Sequence, residues 1–353
     1  MEVKLEWFQL RRAWLAPLFW TSTLIGQAQQ AAPAASPAPT AANSPAEFAE
    51  AKKLEQEGKI SEAITRLQAV EARDPATPGL ALEMGTAYYK KSDFPQAIEY
   101  LKKAIAQDPA NGESTQLLGL SYYLAGRSAE AIPMLEKVQG WLPRANVDAS
   151  YVLGVCYIRT QNYDQARKAF GRMFDVPPDS AASYLFTARM LLRQEHMPIA
   201  EEYAQKAAAL DPKLPLVHFL LGELYLGKSQ VQESIAEFQK ELAINPGDAQ
   251  TYYKLADAYS RVQKFDDAQR LLQRSIWLDS SSTGPYILMG KVLEKKGEYE
   301  LAVRSLQRAV SMDPNNPTTH HLLGQTYRDM GKKEEAESEL KRADELRAKD
   351  SQQ

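Results

Sequence analysis

Cysteine is almost absent from this chain, which has a single one, Cys156, in 353 residues. A lone thiol excludes a disulfide framework within one chain. Cys156 stands two residues after Gly154 in a predicted packed helix. A free cysteine in such a place is most often a small buried apolar residue, so we interpret Cys156 as part of a core and not as a reactive thiol.

Histidine is also scarce, and the four that occur do not form a cluster. His320 and His321 are adjacent, and neighbouring side chains on a helix point about 100° apart, so this pair is poorly placed to share one metal ion. The chain has no glycine-rich phosphate loop, no HExxH motif and no nucleophile elbow. The sequence therefore predicts no catalytic residue, no metal site, no cofactor and no enzymatic activity.

Neither sign of charge dominates the chain. Lysine and arginine total 42 against 45 aspartate and glutamate, which gives a formal net charge of −3 and a pI near 6.0. A strongly basic balance is the electrostatic mark of nucleic-acid binding, and it is missing here. We therefore expect no nucleic acid among the partners.

What the chain has instead is a repeated unit of 34 residues. In the stretch 78–111, Ala81, Met84, Gly85 and Tyr88 share one helix face at the spacing i, i+3, i+4 and i+7. A second helical pattern follows and runs to a proline, which cannot continue a helix interior. The window recurs nine times, with one extra residue after the third. The predicted units are 44–77, 78–111, 112–145, 147–180, 181–214, 215–248, 249–282, 283–316 and 317–350.

Three places in the unit carry the repeat. The eighth is glycine or alanine throughout, the twentieth is alanine except at Ser234, and the thirty-second is proline in seven units. Glycine inside a helix costs about 1 kcal/mol relative to alanine, so its recurrence predicts a close helix–helix contact. The residues at the eighth place are Ala51, Gly85, Gly119, Gly154, Ala188, Gly222, Ala256, Gly290 and Gly324.

This pattern resembles the tetratricopeptide repeat family, whose 34-residue helix–turn–helix unit has small, aromatic and proline residues at these places. The resemblance covers nearly all of the chain after residue 43. It implies an all-α fold, a right-handed α-solenoid (superhelix) of tandem antiparallel helix–turn–helix units with a concave inner surface. It also implies a role in holding other proteins or peptides without chemistry.

The first 43 residues have a different composition. A basic start, an apolar run over 13–25 and a small-x-small ending are typical of a secretory signal peptide, which we expect to span 1–28. The run is short for a membrane span, and an uncleaved anchor is the alternative. Residues 29–43 are uncharged and rich in alanine and proline, which predicts a disordered linker. These features predict export, to a bacterial periplasm or cell surface.

On the first helix of each unit, the fifth, ninth and twelfth places lie on a face turned away from the packing stripe. By resemblance to the family, this face lines the concave groove. The residues that we expect to bind a partner there are Tyr89, Tyr123, Tyr151, Leu185, Arg189, Phe219, Glu223, Tyr253, Asp257, Ile287 and Lys291. Aromatic and aliphatic side chains would supply affinity, and the charges would set the register. The alternative is that these residues are half buried between adjacent first helices and serve packing alone.

The sequence therefore predicts an exported, non-catalytic scaffold that binds a protein or peptide partner in its groove. Two alternatives remain open: a structural solenoid that associates with itself, and an accessory subunit of an envelope assembly or secretion complex. We expect contact with a membrane only through the signal segment, if that segment is uncleaved. The sequence leaves the oligomeric state and the identity of the partner open.

Overall fold

The computed structural model describes residues 44–141 and 147–350, and these two stretches contain eighteen α-helices and no β-strand. The signal peptide and linker predicted for 1–43 lie outside the described residues. The helices are α1 (Ser44–Gln56), α2 (Ile60–Arg73), α3 (Leu80–Lys90), α4 (Phe94–Gln107), α5 (Gly112–Leu124), α6 (Ser128–Trp141), α7 (Val147–Arg159), α8 (Tyr163–Met173), α9 (Ala181–Arg193), α10 (Met197–Leu210), α11 (Val217–Gly227), α12 (Val231–Ile244), α13 (Ala249–Arg261), α14 (Phe265–Leu278), α15 (Thr283–Lys295), α16 (Tyr299–Met312), α17 (Pro317–Asp329) and α18 (Lys333–Asp350).

From α3 onward the helices pack as successive pairs, each odd-numbered helix against the even-numbered helix that follows it, and the ion pairs Glu47–Arg73 and Glu50–Arg66 join α1 to α2. Three residues connect the two members of each pair, so the chain must reverse direction and the pair is antiparallel. Each pair also contacts the next pair along the chain. These tandem antiparallel pairs form the α-solenoid that the sequence predicts.

The middle residue of every three-residue turn within a pair has a positive φ. In four turns this residue is glycine, which adopts a positive φ readily. In the other five it has a side chain, and the left-handed backbone conformation then costs about 1–2 kcal/mol. The nine residues are Gly58, Ser92, Gly126, Gln161, Glu195, Ser229, Gln263, Gly297 and Gly331, with φ between 59° and 78°.

Glycine at the eighth place allows the close helix–helix contact that the sequence predicts. A Cβ on Gly222 of α11 would lie 2.5 Å from the ring of Phe238 on α12, and a Cβ on Gly290 of α15 would lie 2.5 Å from Leu306 on α16. Both large residues are fully buried. A large side chain of the even-numbered helix therefore packs directly against the glycine backbone of the odd-numbered helix.

Neighbouring pairs are joined by a recurrent hydrogen bond. A glutamine amide on an even-numbered helix donates to the phenol oxygen of a tyrosine twenty residues later, on the next odd-numbered helix. The four bonds are Gln68–Tyr88 (3.3 Å), Gln205–Tyr225 (3.4 Å), Gln239–Tyr259 (3.1 Å) and Gln307–Tyr327 (2.9 Å). Tyr157 donates to the carboxylate of Glu136 at the corresponding place. The repeated tyrosine thus both fills the core and fixes the next pair.

The interior runs along the array, with buried residues contributed by each pair. Cys156 is 0% exposed within it, which confirms its interpretation as a core residue. On the last helix, Ala336, Ala343 and Leu346 are buried while most of the charged residues between them are exposed. One face of α18 therefore packs on the array and the other faces solvent.

Candidate functional site

The face predicted to line the groove is largely, but not entirely, accessible. Arg189 and Lys291 are exposed, whereas Leu185 is buried at 1% exposure, so its predicted place in a binding surface is wrong. The other eight predicted residues are half buried and keep part of their side chains at the surface: Tyr89, Tyr123, Tyr151, Phe219, Glu223, Tyr253, Asp257 and Ile287.

Aromatic rings on this face are anchored by the second helix of their own pair. The ring centroid of Phe219 lies 5.8 Å from that of Phe238, and the ring centroid of Tyr151 lies 6.4 Å from that of Phe170. Both second-helix rings are buried. One side of each of these two rings, Phe219 and Tyr151, therefore packs within the pair, as expected if such residues serve packing. The other side remains available for contact with a partner.

The face continues from one pair to the next. Tyr253 of α13 lies over the first turn of α15, where a Cβ on Gly284 would be 3.3 Å from the phenol group. Phe48 of α1 has the same relation to Gly79, just before α3, at 3.7 Å. A glycine at this place lets the aromatic side chain of one pair cover the start of the next odd-numbered helix.

Most charges on the face are paired. Glu223 of α11 lies 2.9 Å from Nζ of Lys254 on α13, and a carboxylate oxygen of Asp257 accepts from Arg261 at 3.0 Å. Lys291 differs, because it is exposed and forms no ion pair with any residue that the structure describes. It is therefore a cation on this face that is available to a ligand.

Two tyrosines on the face stay neutral at physiological pH. Burial raises the pKa of Tyr123, against the guanidinium of Arg159, which lies 4.7 Å from the ring centroid and acts in the opposite direction. Burial also raises the pKa of Tyr253, and the nearby carboxylate of Asp257 adds to that effect. Both phenols can therefore donate a hydrogen bond as well as present a ring.

An open cleft of about 640 Å³ lies on this face between α13, α15 and α17. Its lining residues are Ser260, Arg261, Gln263, Phe265, Lys291, Glu294, Lys295, Leu322 and Gln325. Only Lys291 is among the residues that the sequence analysis singled out. The sequence feature that could have identified the cleft is a basic residue at the thirteenth place of two successive units, Arg261 and Lys295.

Two negative observations concern the described part of the chain alone. Residues 44–141 and 147–350 contain no group of three histidine, cysteine, aspartate or glutamate side chains arranged to hold a metal ion. None of the eighteen described helices combines the length and the apolar character needed to cross a bilayer.

Repeat families match most of the chain. Models described as tetratricopeptide repeat or TPR repeat match residues 54–120, 151–215, 187–249, 251–285, 290–331 and 317–350. A further model, described as subunit 3 of the anaphase-promoting complex (cyclosome), matches residues 90–173. No curated protein sequence matches the chain.

Several solved structures are similar at low sequence identity. The APC/C hetero-tetramer Cut9–Hcn1 aligns over 80% of this chain at 19% identity and a TM-score of 0.45, and this chain spans only 55% of its length. YrrB, described as a TPR protein with an unusual peptide-binding site, aligns over 51% of this chain and 93% of its own at 22% identity and a TM-score of 0.44. PilF of Pseudomonas aeruginosa aligns over 56% and 90% at 18% identity and a TM-score of 0.46.

Proposed function

Because this chain belongs to the tetratricopeptide repeat family, we propose that it is a non-catalytic scaffold that binds a protein or peptide partner in the groove lined by its odd-numbered helices. The observation that carries this proposal is the set of half-buried aromatic side chains that this face presents on α3, α5, α7, α11 and α13. Tyr151, Phe219 and Tyr253 are each held by a neighbouring residue on one side and open on the other.

Rings that are fixed before binding suit such a role. A side chain already held in one conformation loses little entropy when a partner covers it, and aromatic anchors supply much of the energy at protein interfaces. The ion pairs Glu223–Lys254 and Asp257–Arg261 lie on the same helices as these rings. Charges at the rim of an apolar surface would fix the position of a bound segment along the groove.

A photo-reactive amino acid placed at Arg189, which is exposed on the groove face, tests this proposal in the full-length chain. The control site is Leu301 on α16, an exposed apolar residue of a second helix. We expect irradiation in cells to yield a discrete cross-linked protein from position 189 and not from position 301. Cross-linking that is equal at both sites would contradict groove binding.

The double variant Phe219→Glu with Tyr253→Glu tests independently whether the partner binds in the groove. We expect the cross-link to disappear, because two charges replace the central rings, and the variant Leu301→Glu to leave it unchanged. Circular dichroism must show equal helicity in all three chains. If Phe219→Glu unfolds the protein, the single variant Tyr253→Glu replaces the double variant, because Tyr253 is only half buried.

A second candidate function is self-association through the outer face. Trp277 on α14 is 72% exposed, with the guanidinium of Arg274 4.3 Å from its ring centroid, and tryptophan and arginine are both enriched at protein interfaces. Light scattering of the full chain and of Trp277→Ala separates the two cases. A mass that falls from dimer to monomer in the variant favours self-association, and a monomer in both favours a foreign partner.

We further propose that residues 1–28 direct export to a bacterial periplasm or cell surface, and that 29–43 tether nine repeat units over 44–350. The basic start and apolar run of the first 28 residues support the export proposal. The mass of the protein recovered from a periplasmic extract tests it, since cleavage after Ala28 leaves a chain that begins at Gln29. The same extract shows whether the chain co-purifies with an envelope assembly as an accessory subunit.

A further inference from the structure

The cleft between α13, α15 and α17 has a net positive lining. Arg261, Lys291 and Lys295 line it, against a single carboxylate, that of Glu294. Asp257 holds Arg261 through Nε and Nη2 at 3.1 and 3.0 Å, and Glu294 lies 3.7 Å from Lys295. Lys291 pairs with no carboxylate in the described part of the chain. One unneutralised ammonium group therefore faces the cleft.

The cleft also holds polar groups that the folded chain does not use. The hydroxyl of Ser260 and the side-chain amides of Gln263 and Gln325 make no side-chain hydrogen bond with any described residue. A hydroxyl, two amides and an ammonium group around one space suit a carboxylate, which accepts several hydrogen bonds at once. Phe265 and Leu322 add apolar surface beside these donors.

The first pairs of the array carry the opposite charge. Three carboxylates, those of Glu55, Glu83 and Glu113, lie near one another there. Two ammonium groups oppose them: Lys52 lies 2.8 Å from Glu83, and Lys90 lies 2.6 Å from Glu55. Burial raises the pKa of Glu83, and the charges of Glu55 and Glu113 add to this effect. Three carboxylates against two ammonium groups disfavour an acidic ligand at that end of the array.

We propose that the cleft binds an acidic side chain of an extended partner segment, next to an apolar side chain that packs on Phe265 and Leu322. This inference rests on the proposed function of the groove and names the chemistry of its occupant. Lys291 determines the preference for acid, because the other cations of the cleft already have carboxylate neighbours. The acidic first pairs disfavour such a segment at the other end of the array.

Fluorescence anisotropy with the full-length chain tests the proposal. The probe is a fluorescein-labelled peptide that contains the sequence AEFEA and has an amidated carboxyl end, and the control contains AQFQA. We expect the acidic peptide to bind at least about tenfold more tightly, and its affinity to fall as salt screens the charges. We expect Lys291→Glu to weaken it at least about tenfold. Lys168→Glu, at an exposed unpaired lysine of α8, is the charge-matched control and should leave it within about twofold.

Equal affinity of the two peptides, or unchanged binding by Lys291→Glu, would overturn the proposal. A third peptide, AQFQA with a free carboxyl end, distinguishes a chain terminus from an acidic side chain. If it binds as tightly as the acidic peptide, the cleft recognises a terminus and the proposal is wrong. The cross-link from position 189 is measured separately. If that cross-link forms but the peptide test fails, the groove still binds a partner, and only the acidic segment proposed for the cleft is rejected.

Discussion

Nδ1 of His218 lies 2.6 Å from Oε2 of Glu237, while Nε2 of the same ring lies 3.0 Å from the carbonyl oxygen of Pro212. A carbonyl oxygen only accepts, so Nε2 carries the proton of that bond. The contact with Glu237 then needs a second proton, on Nδ1 or on the carboxyl group. This ring ties the linker before α11 to both helices of the pair.

We expect a double-mutant cycle of His218→Ala and Glu237→Ala to give a coupling energy of about 1.5–3 kcal/mol, the range of hydrogen bonds to charged groups. The side chain of Glu237 is 12% exposed, so solvent screens the interaction little. Urea unfolding monitored by circular dichroism measures each free energy. His320 and Glu339 repeat the contact at 2.6 Å, with Glu339 26% exposed, and their coupling should be smaller. Zero coupling at both sites would contradict a stabilising role.

Gly222→Ala should destabilise the protein despite the better helix propensity of alanine. The new Cβ would lie 2.5 Å from the ring of Phe238, and overpacking of this kind costs about 1–3 kcal/mol, more than the roughly 1 kcal/mol gained by removing glycine. Adding Phe238→Leu should restore most of the loss, since Ala256 and Leu272 occupy the same two places in the next pair. Thermal unfolding of the three chains decides this. A single variant as stable as the wild type would show that the ring can move aside.

The helices and their contacts were predictable because they depend on residues that repeat, whereas the groove was predictable only in outline. The fifth place of a pair packs on its twenty-fourth, as Phe219 does on Phe238. In the fifth pair the twenty-fourth place is Ala204, and we attribute the burial of Leu185 to the space that this small residue leaves. The pair Asp257–Arg261 has the i, i+4 spacing that a sequence predicts, whereas the cleft depends on which residues of neighbouring helices lie beside Lys291, and no local pattern specifies that.

Glu195→Gly should stabilise the protein by about 1 kcal/mol. Glu195 has a φ of 64° in the turn between α9 and α10, where a side chain is strained and glycine is not. The greater freedom of glycine in the unfolded chain offsets part of the gain. The reverse change, Gly297→Glu in the turn between α15 and α16, should destabilise by a similar amount, since Gly297 has a φ of 76°. Chemical denaturation compares both variants, and a loss of stability in Glu195→Gly would contradict the strain.

Glu241 should make stability depend on pH. Its side chain is fully buried, and burial raises its pKa above the ordinary value of 4.5, although the backbone N–H groups of Leu216 and Phe219 donate to its carboxylate and act the other way. The folded state therefore binds the proton more tightly than the unfolded state. The contribution of Glu241 to the free energy of unfolding therefore falls as the pH rises from its pKa in the unfolded state through its pKa in the folded state.

Glu241→Gln isolates this effect, because glutamine keeps an oxygen for Leu216 and does not titrate. We expect the stability difference, wild type minus variant, to decrease as the pH rises above the unfolded pKa, and to be constant once the folded pKa is passed. Guanidinium denaturation at several pH values measures it. A difference that is flat over the whole range would mean that Glu241 titrates alike in both states.

Cys156 should be nearly unreactive until the seventh helix opens. Burial raises the pKa of its thiol to about 11, so at pH 8 only about one molecule in a thousand carries the reactive thiolate, against roughly a quarter for a free cysteine. Exclusion of the reagent by the packed core slows the reaction further. We therefore expect iodoacetamide to label the native chain at least about a hundredfold more slowly than the urea-unfolded chain. Because the chain has no other thiol, each labelling event reports exposure of this one buried site, and Cys156→Ser supplies the blank. Equal labelling rates in native and unfolded protein would show that α7 is not closed in solution.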